Sequence, residues 1–527
     1  MFVKPRSSSV AHDRCRIATA LVAILALTAG CGGSPATIAP SAALSPAASA
    51  SAAAKIMPTS TATATPGASV PPSAPAVPSP TPAPASSAQV GGAGPWQPAG
   101  SMLVARAQPH AIRLPDGRVL VVGNDGKNAS GVRDDSATAE LWDPSTNTWR
   151  ATASLNRPRA GFAAVALADG RVLVTGGLDG GAPAIGSDPS TSCMGPNPAS
   201  YSSTYLYDPR SGHETWSRTG LLGTARTDPA IAVLSDGRVL VAGGYYEFAA
   251  RSLTGDATLV DIGPDFIVPP LATAELFDPS TGTWSPSGPM HYARYGAAAA
   301  TLADGRVLVV GTSQGAFVSG NGAVMASDSA SDSAEIYDPR TGRFTTTGAL
   351  PDQGQRSGAS SETAGTLVPL SDGGALLVGN DREWKHGGSD TRSFRYDVRT
   401  GTWAEVGRAF IVAWPPNGAA LTETAGVGGR VNAMAARLPD GRVLVAGGDL
   451  FVQSGPDVSR SAALYDPGTN RWSVPPPLPG PRAGGAAVAL QDGSVLLVGG
   501  YGDLTSAWAT CNEPQGLAST LRFVPAP

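Results

Sequence analysis

From residue 96 onward the chain alternates short apolar runs with polar, glycine-rich breaks. No apolar stripe at helical spacing is long enough to suggest a helix. One phrase dominates the pattern: an apolar run, a turn, then a second apolar run ending in glycine. It reads "LPDGRVLVVGN" from Leu114, "LADGRVLVTGG" from Leu167, "LSDGRVLVAGG" from Leu234 and "LADGRVLVVGT" from Leu302. It returns as "LSDGGALLVGN" from Leu370, "LPDGRVLVAGG" from Leu438 and "LQDGSVLLVGG" from Leu490. Asp-Gly between two apolar runs signals a hairpin, and a type I′ turn, with positive φ at both central residues, is expected there.

A second phrase follows most of the time: "AELWDPSTNTW" (139–149), "TYLYDPRSGHETW" (204–216), "AELFDPSTGTW" (274–284), "AEIYDPRTGRF" (334–344), "SFRYDVRTGTW" (393–403) and "AALYDPGTNRW" (462–472). It predicts a strand, a polar turn and a strand opening with an aromatic residue. Each unit therefore holds four antiparallel strands, A to D. The last unit ends in "STLRFVPAP", which supplies a strand C and stops. Its strand D is expected from the other end of the chain, in "GPWQPAGSM" around Trp96. A ring closed in this way leaves no open sheet edge.

Spacing within the units is regular. Ten residues before each turn Asp stand Arg106, Arg159, Arg226, Arg294, Glu362, Arg430 and Arg482. Ten residues further back stand Trp96, Trp149, Trp216 and Trp284, and Trp472 holds the same place before Arg482. A four-stranded repeat with a double glycine and an aromatic on its fourth strand resembles the kelch repeat. The double glycine is intact at Gly176-Gly177, Gly243-Gly244, Gly447-Gly448 and Gly499-Gly500, and altered at Gly123-Asn124, Gly311-Thr312 and Gly379-Asn380. The resemblance covers residues 96–527 and implies an all-β, seven-bladed β-propeller, a count the strands give independently. A chain of 527 residues would otherwise suggest several domains.

The N-terminal segments are of another kind. Lys4, Arg6, Arg14 and Arg16 precede the apolar stretch "IATALVAILALTAG" (17–30), too short for a membrane span and suited to a signal peptide. Ala29-Gly30-Cys31 resembles a bacterial lipobox, with Thr28 where that motif prefers Leu, so residues 1–31 are expected to be a signal with lipidation at Cys31. Residues 32–95 are Ala, Ser, Pro and Thr with one charged residue, Lys55. Such a composition cannot bury enough apolar surface to offset its ordering entropy and predicts a disordered tether. These segments imply an exported protein held to a bacterial membrane by its N-terminal lipid alone, facing the periplasm or the cell surface. Of the four cysteines Cys15 leaves with the signal, and Cys193 and Cys511 form an expected disulfide.

Charge narrows the function classes. Charged residues are 15% of the chain and the net charge is −4, without the basic surplus of a nucleic-acid binder. In a blade the A–B and C–D turns share one face, and the B–C and D–A loops share the other. The first set is short and nearly constant. The second varies, with long B–C segments at 178–203, 245–272, 312–333 and 501–518 and expanded D–A loops at 345–361 and 404–429. Binding belongs on the variable face. The six arginines and Glu362 start the innermost strands and are expected to ring the channel mouth there, where a carboxylate or polyanion would relieve their repulsion. They also match the recurring arginine of kelch units, which bonds to neighbouring loop carbonyls. Gln108, Asp228 and Asn432, two residues on, could add polar contacts. His291, Tyr292 and Tyr295 flank Arg294, as ligand contacts or as loop packing.

No zinc spacing, phosphate-binding loop or nucleophile–base arrangement stands out, so no metal, cofactor or catalytic residue is assigned. The reading is a monomeric binding module for a glycan or a protein carboxylate. Two enzymatic alternatives come from the kelch resemblance. A sugar mutarotase would use the same mouth with Glu362. A galactose-oxidase-like copper site would need two histidines, two tyrosines and a cross-linked cysteine, and His110, His213, His291 and His386 are not arranged for it.

Overall fold

The computed structural model describes residues 94–123, 137–178, 200–210, 214–245, 270–311, 315–318, 324–327, 333–351, 365–380, 392–408, 432–452, 455–502 and 515–525. Cys31, Cys193, Cys511, Glu362, Arg430, His213 and His386 lie outside these residues. The described residues form seven four-stranded antiparallel sheets and two small hairpins, with no α-helix among them.

Blade 1 runs His110–Arg113, Val119–Val122, Ala139–Asp143, Thr148–Thr152 as strands A to D. Blades 2 to 6 repeat this order. Blade 7 takes Ala486–Ala489, Val495–Val498 and Leu517–Phe523 from the end of the chain, and its fourth strand is Trp96–Arg106. Trp96 pairs with Phe523 and Pro98 with Leu521. The expected closure by the N-terminal strand is thus present. Each strand A packs beside strand A of the next blade, and that of blade 7 packs beside that of blade 1.

Strand B is buried on both faces because a blade lies on either side. Val119–Val122, Val239–Ala242, Val307–Val310, Val443–Ala446 and Val495–Val498 are buried throughout. Unbroken β-branched runs suit such a doubly covered strand. The strand D aromatics pack on strand C rings, Trp216 on Tyr207 at 5.1 Å and Trp472 on Tyr465 at 5.0 Å. Their indole N–H groups reach carbonyls of the preceding blade's trailing segment, Trp216 to Ala153 at 2.7 Å and Trp472 to Val406 at 2.9 Å. A tryptophan here joins two blades, and this explains its regular spacing.

The hairpin turns differ from the type I′ expectation. Only the glycine has positive φ, as at Gly117 (91°), and Asp116 does not. Gly117 N–H donates to Leu114 O at 3.0 Å and Leu114 N–H to Arg118 O at 2.8 Å. This is a three-residue loop, a type I turn followed by a left-handed glycine. The aspartate is selected for another reason: its Oδ1 accepts the N–H two residues on, 3.0 Å at Arg118.

The two extra hairpins, Gly315–Val318 with Val324–Ser327 and Asp449–Val452 with Gly455–Val458, arise inside the B–C segments of blades 4 and 6. Both belong to the variable face.

Candidate functional site

The five described arginines do not form the solvent-facing ring expected of them. Arg106, Arg159, Arg226 and Arg294 are fully or almost fully buried and Arg482 is 4% exposed. Each guanidinium turns into its own blade and clamps the ends of strands B and C. In blade 3, Arg226 Nη1 donates to Gly243 O at 2.7 Å and Thr273 O at 3.0 Å, and Nη2 reaches Glu275 at 2.7 Å. In blades 1 and 4, Arg106 and Arg294 make the same bonds and meet Glu140 (2.9 Å) and Glu335 (3.2 Å). Blade 2 has no glutamate there. Instead the Arg159 guanidinium lies 4.7 Å from the Tyr201 ring and 5.0 Å from that of Tyr205. Arg482 bonds to Gly499 O and Ser519, and burial lowers its pKa to about 10.

The double glycine completes this clamp. Its first member supplies the carbonyl that the arginine binds. Its second donates N–H to the carbonyl of the next blade's arginine, Gly177 to Arg226 at 2.9 Å and Gly244 to Arg294 at 2.7 Å. A Cβ on Gly176 would stand 2.5 Å from Arg226 O, so no larger residue fits between the blades. These five arginines are therefore blade-to-blade ties. The predicted repulsion is absent because the charges meet buried glutamates, tyrosine faces and carbonyl oxygens.

The neighbours of Arg294 divide in the same way. His291 offers its backbone N–H and its Nδ1 to Glu335 at 2.8 and 2.9 Å, and Tyr292 N–H reaches the same carboxylate at 3.2 Å. The Tyr292 ring is 39% exposed on the variable face. Tyr295 sets its ring edge-on to Tyr245 at 5.9 Å.

The mouth itself is built two residues after each arginine. Gly161 (φ 58°), Asp228 (47°), Gly296 (57°), Asn432 (58°) and Gly484 (65°) all adopt the left-handed conformation. They bond to one another across blades. Asp228 N–H donates to Gly161 O at 2.7 Å, Gly296 N–H to Asp228 O at 3.0 Å, and Gly484 N–H to Asn432 O at 2.9 Å. The result is a backbone collar at the start of the innermost strands, on the variable face. Blade 1 places the exposed Gln108 there. Glycine suits the collar, and Asp228 and Asn432 are the exceptions, since non-glycine residues pay for positive φ in strain.

Those two exceptions carry the polar chemistry of the mouth. The Asp228 carboxylate makes no side-chain hydrogen bond to any described residue, and desolvation alone raises its pKa to about 6. Asn432 Nδ2 donates to Asp449 Oδ2 at 2.8 Å and approaches Tyr501 Oη at 3.1 Å, while Tyr501 Oη donates to Asp449 Oδ2 at 2.7 Å. Asp449 and Tyr501 are each 3% exposed. Asp449 Oδ1 has no partner, and burial raises the carboxyl pKa to about 6. Both amide hydrogens of Asn432 are thus taken by Asp449 and Tyr501, and its carbonyl oxygen has no partner among the described residues. Asp449 and Tyr501 were missed in the sequence. Each directly follows a double glycine, as does Tyr245, which was the available signal.

The mouth therefore presents acceptors, a carboxylate and an amide oxygen, beside the Tyr245–Tyr295 pair. Five arginines, Arg106, Arg159, Arg226, Arg294 and Arg482, have turned inward, and Gln108 is the exposed amide of the collar. The copper arrangement finds no matching donor set among the described residues. His110 is packed 4.4 Å from the Phe162 ring, with burial lowering its pKa to about 4, and His291 faces Glu335. No group of three or more His, Cys, Asp or Glu side chains gathers among those residues.

No known protein family and no curated protein matches the sequence. Solved structures do match in fold. A fungal alcohol oxidase of the AA5 family, determined in complex with copper, shares 17% identity at a TM-score of 0.51, covering 82% of this chain and 76% of its own. YjhT shares 15% identity at a TM-score of 0.42, covering 80% of this chain and 95% of its own. Seven four-stranded blades, the arginine and double-glycine clamp and closure by the N-terminal strand make this chain a seven-bladed, kelch-like β-propeller in fold.

Proposed function

We propose that this is an exported, membrane-tethered propeller that binds a hydroxyl-rich glycan at the collar of its variable face. The carrying observation is Asp228. A carboxylate held in left-handed backbone, desolvated and without a side-chain partner among the described residues lowers stability three times over. Glycine or asparagine, as at Gly161, Gly296, Asn432 and Gly484 in four other blades, would avoid most of that. Strain and desolvation kept at one point of a repeated ring favour a ligand contact. Sugar hydroxyls are donors that match carboxylate and amide acceptors, and sugar faces suit tyrosine rings. An anionic ligand loses most of its support, because five of the six arginines that would have received it are internal.

Export and tethering rest on the basic and apolar N-terminal segment, Cys31 and the Ala/Ser/Pro/Thr-rich stretch to residue 95. The test is calorimetric titration of the full chain in detergent with neutral and uronic-acid oligosaccharides. Binding of neutral chains that is lost in Asp228→Ala supports the reading. Preference for uronic acids, retained in Asp228→Ala, would overturn it.

A further inference from the structure

We propose that the glycan carries a free amine and that its ammonium group is received by Asp228. This rests on the reading of the collar as a glycan site and names the chemical class of the sugar. Among the described residues, no group around Asp228 answers its charge. Arg226, two residues before it, points into the blade and pairs with Glu275 at 2.7 Å. The collar residues on either side are Gly161 and Gly296, which offer no side chain. Gly161 in particular leaves the space that the carboxylate occupies: a Cβ there would lie 2.6 Å from Asp228 Oδ1.

A hydroxyl would satisfy one acceptor and leave the negative charge uncompensated. A divalent cation needs six or more oxygen ligands, and the described residues gather no such set. An ammonium fits better. It carries three donors and one positive charge, and a charge-assisted bond to a desolvated carboxylate is stronger than a neutral one. Asn432 contributes an amide oxygen to the same ring, its nitrogen held by Asp449 and Tyr501. An acetylated amine would lose both the charge and two of the three donors.

The experiment uses three tetramers with the same β-1,4-glucan backbone, bearing a hydroxyl, an acetamido or a free amino group at C2. Each is titrated near neutral pH into the full chain and into Asp228→Asn. The amino tetramer should bind about tenfold or more tightly than the other two. That gap should close in Asp228→Asn, while the hydroxyl tetramer is still bound and shows that the collar is intact. Equal binding of all three, or a gap that persists in Asp228→Asn, overturns the inference and leaves the glycan reading standing. Binding of ethanolamine but of no tetramer would overturn the glycan reading and keep the carboxylate as an ammonium site. If neither ethanolamine nor any tetramer binds, both are overturned.

Discussion

The carboxylate of Asp228 stands where a side chain on Gly161 would have to go, 2.6 Å from the position of that missing Cβ. Two blades meet at this point, and the backbone reinforces the meeting, with Asp228 N–H bonded to Gly161 O at 2.7 Å. Gly161→Ala should therefore be costly. Alanine in left-handed backbone loses about 1–2 kcal/mol, and the methyl group also strikes Asp228 and Thr227. We expect a loss of about 2–3 kcal/mol by urea unfolding. In the background of Asp228→Gly the same change should cost distinctly less, because one clash has gone. Additive losses would show that the two residues are not coupled.

Asp228→Asn should stabilise the protein while weakening ligand binding. Asparagine tolerates left-handed backbone and removes a desolvated charge. The folded carboxyl titrates near 6, above the ordinary value for an unfolded aspartate, near 4. The folded state thus holds its proton more tightly, and this favours folding at acid pH. The advantage is lost as pH rises from about 4 through 6. At neutral pH the substitution should add about 1–2 kcal/mol, and at pH 4 almost nothing. A gain of equal size at both pH values would sink the assignment of the effect to this charge. Such an exchange of stability for function is what a site residue in a strained position should show.

The buried arginine–glutamate pairs make a different prediction. Glu335 takes N–H groups from His291 and Tyr292 as well as the Arg294 guanidinium. Glu335→Ala should cost about 3–5 kcal/mol, because it leaves a buried cation without its counter-ion and two amides without an acceptor. Arg294→Glu should prevent folding, since it sets two carboxylates face to face in the blade interior. The contrast with Asp228→Asn is the point of the experiment. If Arg294→Glu instead folds normally and loses only ligand binding, the arginine belongs to the mouth after all.

The fold was legible because the repeat writes each blade out in full: a strand pair around Asp-Gly, a second pair around Asp-Pro, and Trp96 and "STLRFVPAP" as two parts of one sheet. The orientation of the arginines was harder to read. Spacing placed them at the start of strand A and could not say which way the side chains turned. The clue lay in strand C, where Glu140, Glu275 and Glu335 occupy one register position in three blades that carry the arginine. Charge can also persist in space after it is lost from the repeat. In blades 5 and 7 the hairpin arginine is replaced by Gly374 and Ser494. There Arg395 and Arg522, from strand C, reach the turn carboxylates of Asp372 and Asp492 instead. Asp449 and Tyr501 each follow a double glycine, but repeat spacing does not show that their side chains meet across two blades.

Tyr501→Phe tests that contact. The phenol donates to Asp449 Oδ2 and so holds the carboxyl pKa lower than burial alone would. Removing it leaves Asn432 as the remaining partner of a carboxylate that is 3% exposed. The folded pKa of Asp449 should then rise above its present value of about 6. Below that pKa the carboxyl is neutral and the lost bond costs about 1 kcal/mol; above it a poorly paired charge is buried, and the loss should grow to about 2–3 kcal/mol. Urea unfolding of the variant at pH 5 and at pH 8 separates these regimes. Equal losses at the two values would mean that Tyr501 acts by packing alone. A larger loss at pH 8, accompanied by weaker ligand binding, would show that the phenol and the carboxylate hold Asn432 in the orientation that turns its carbonyl oxygen to the mouth.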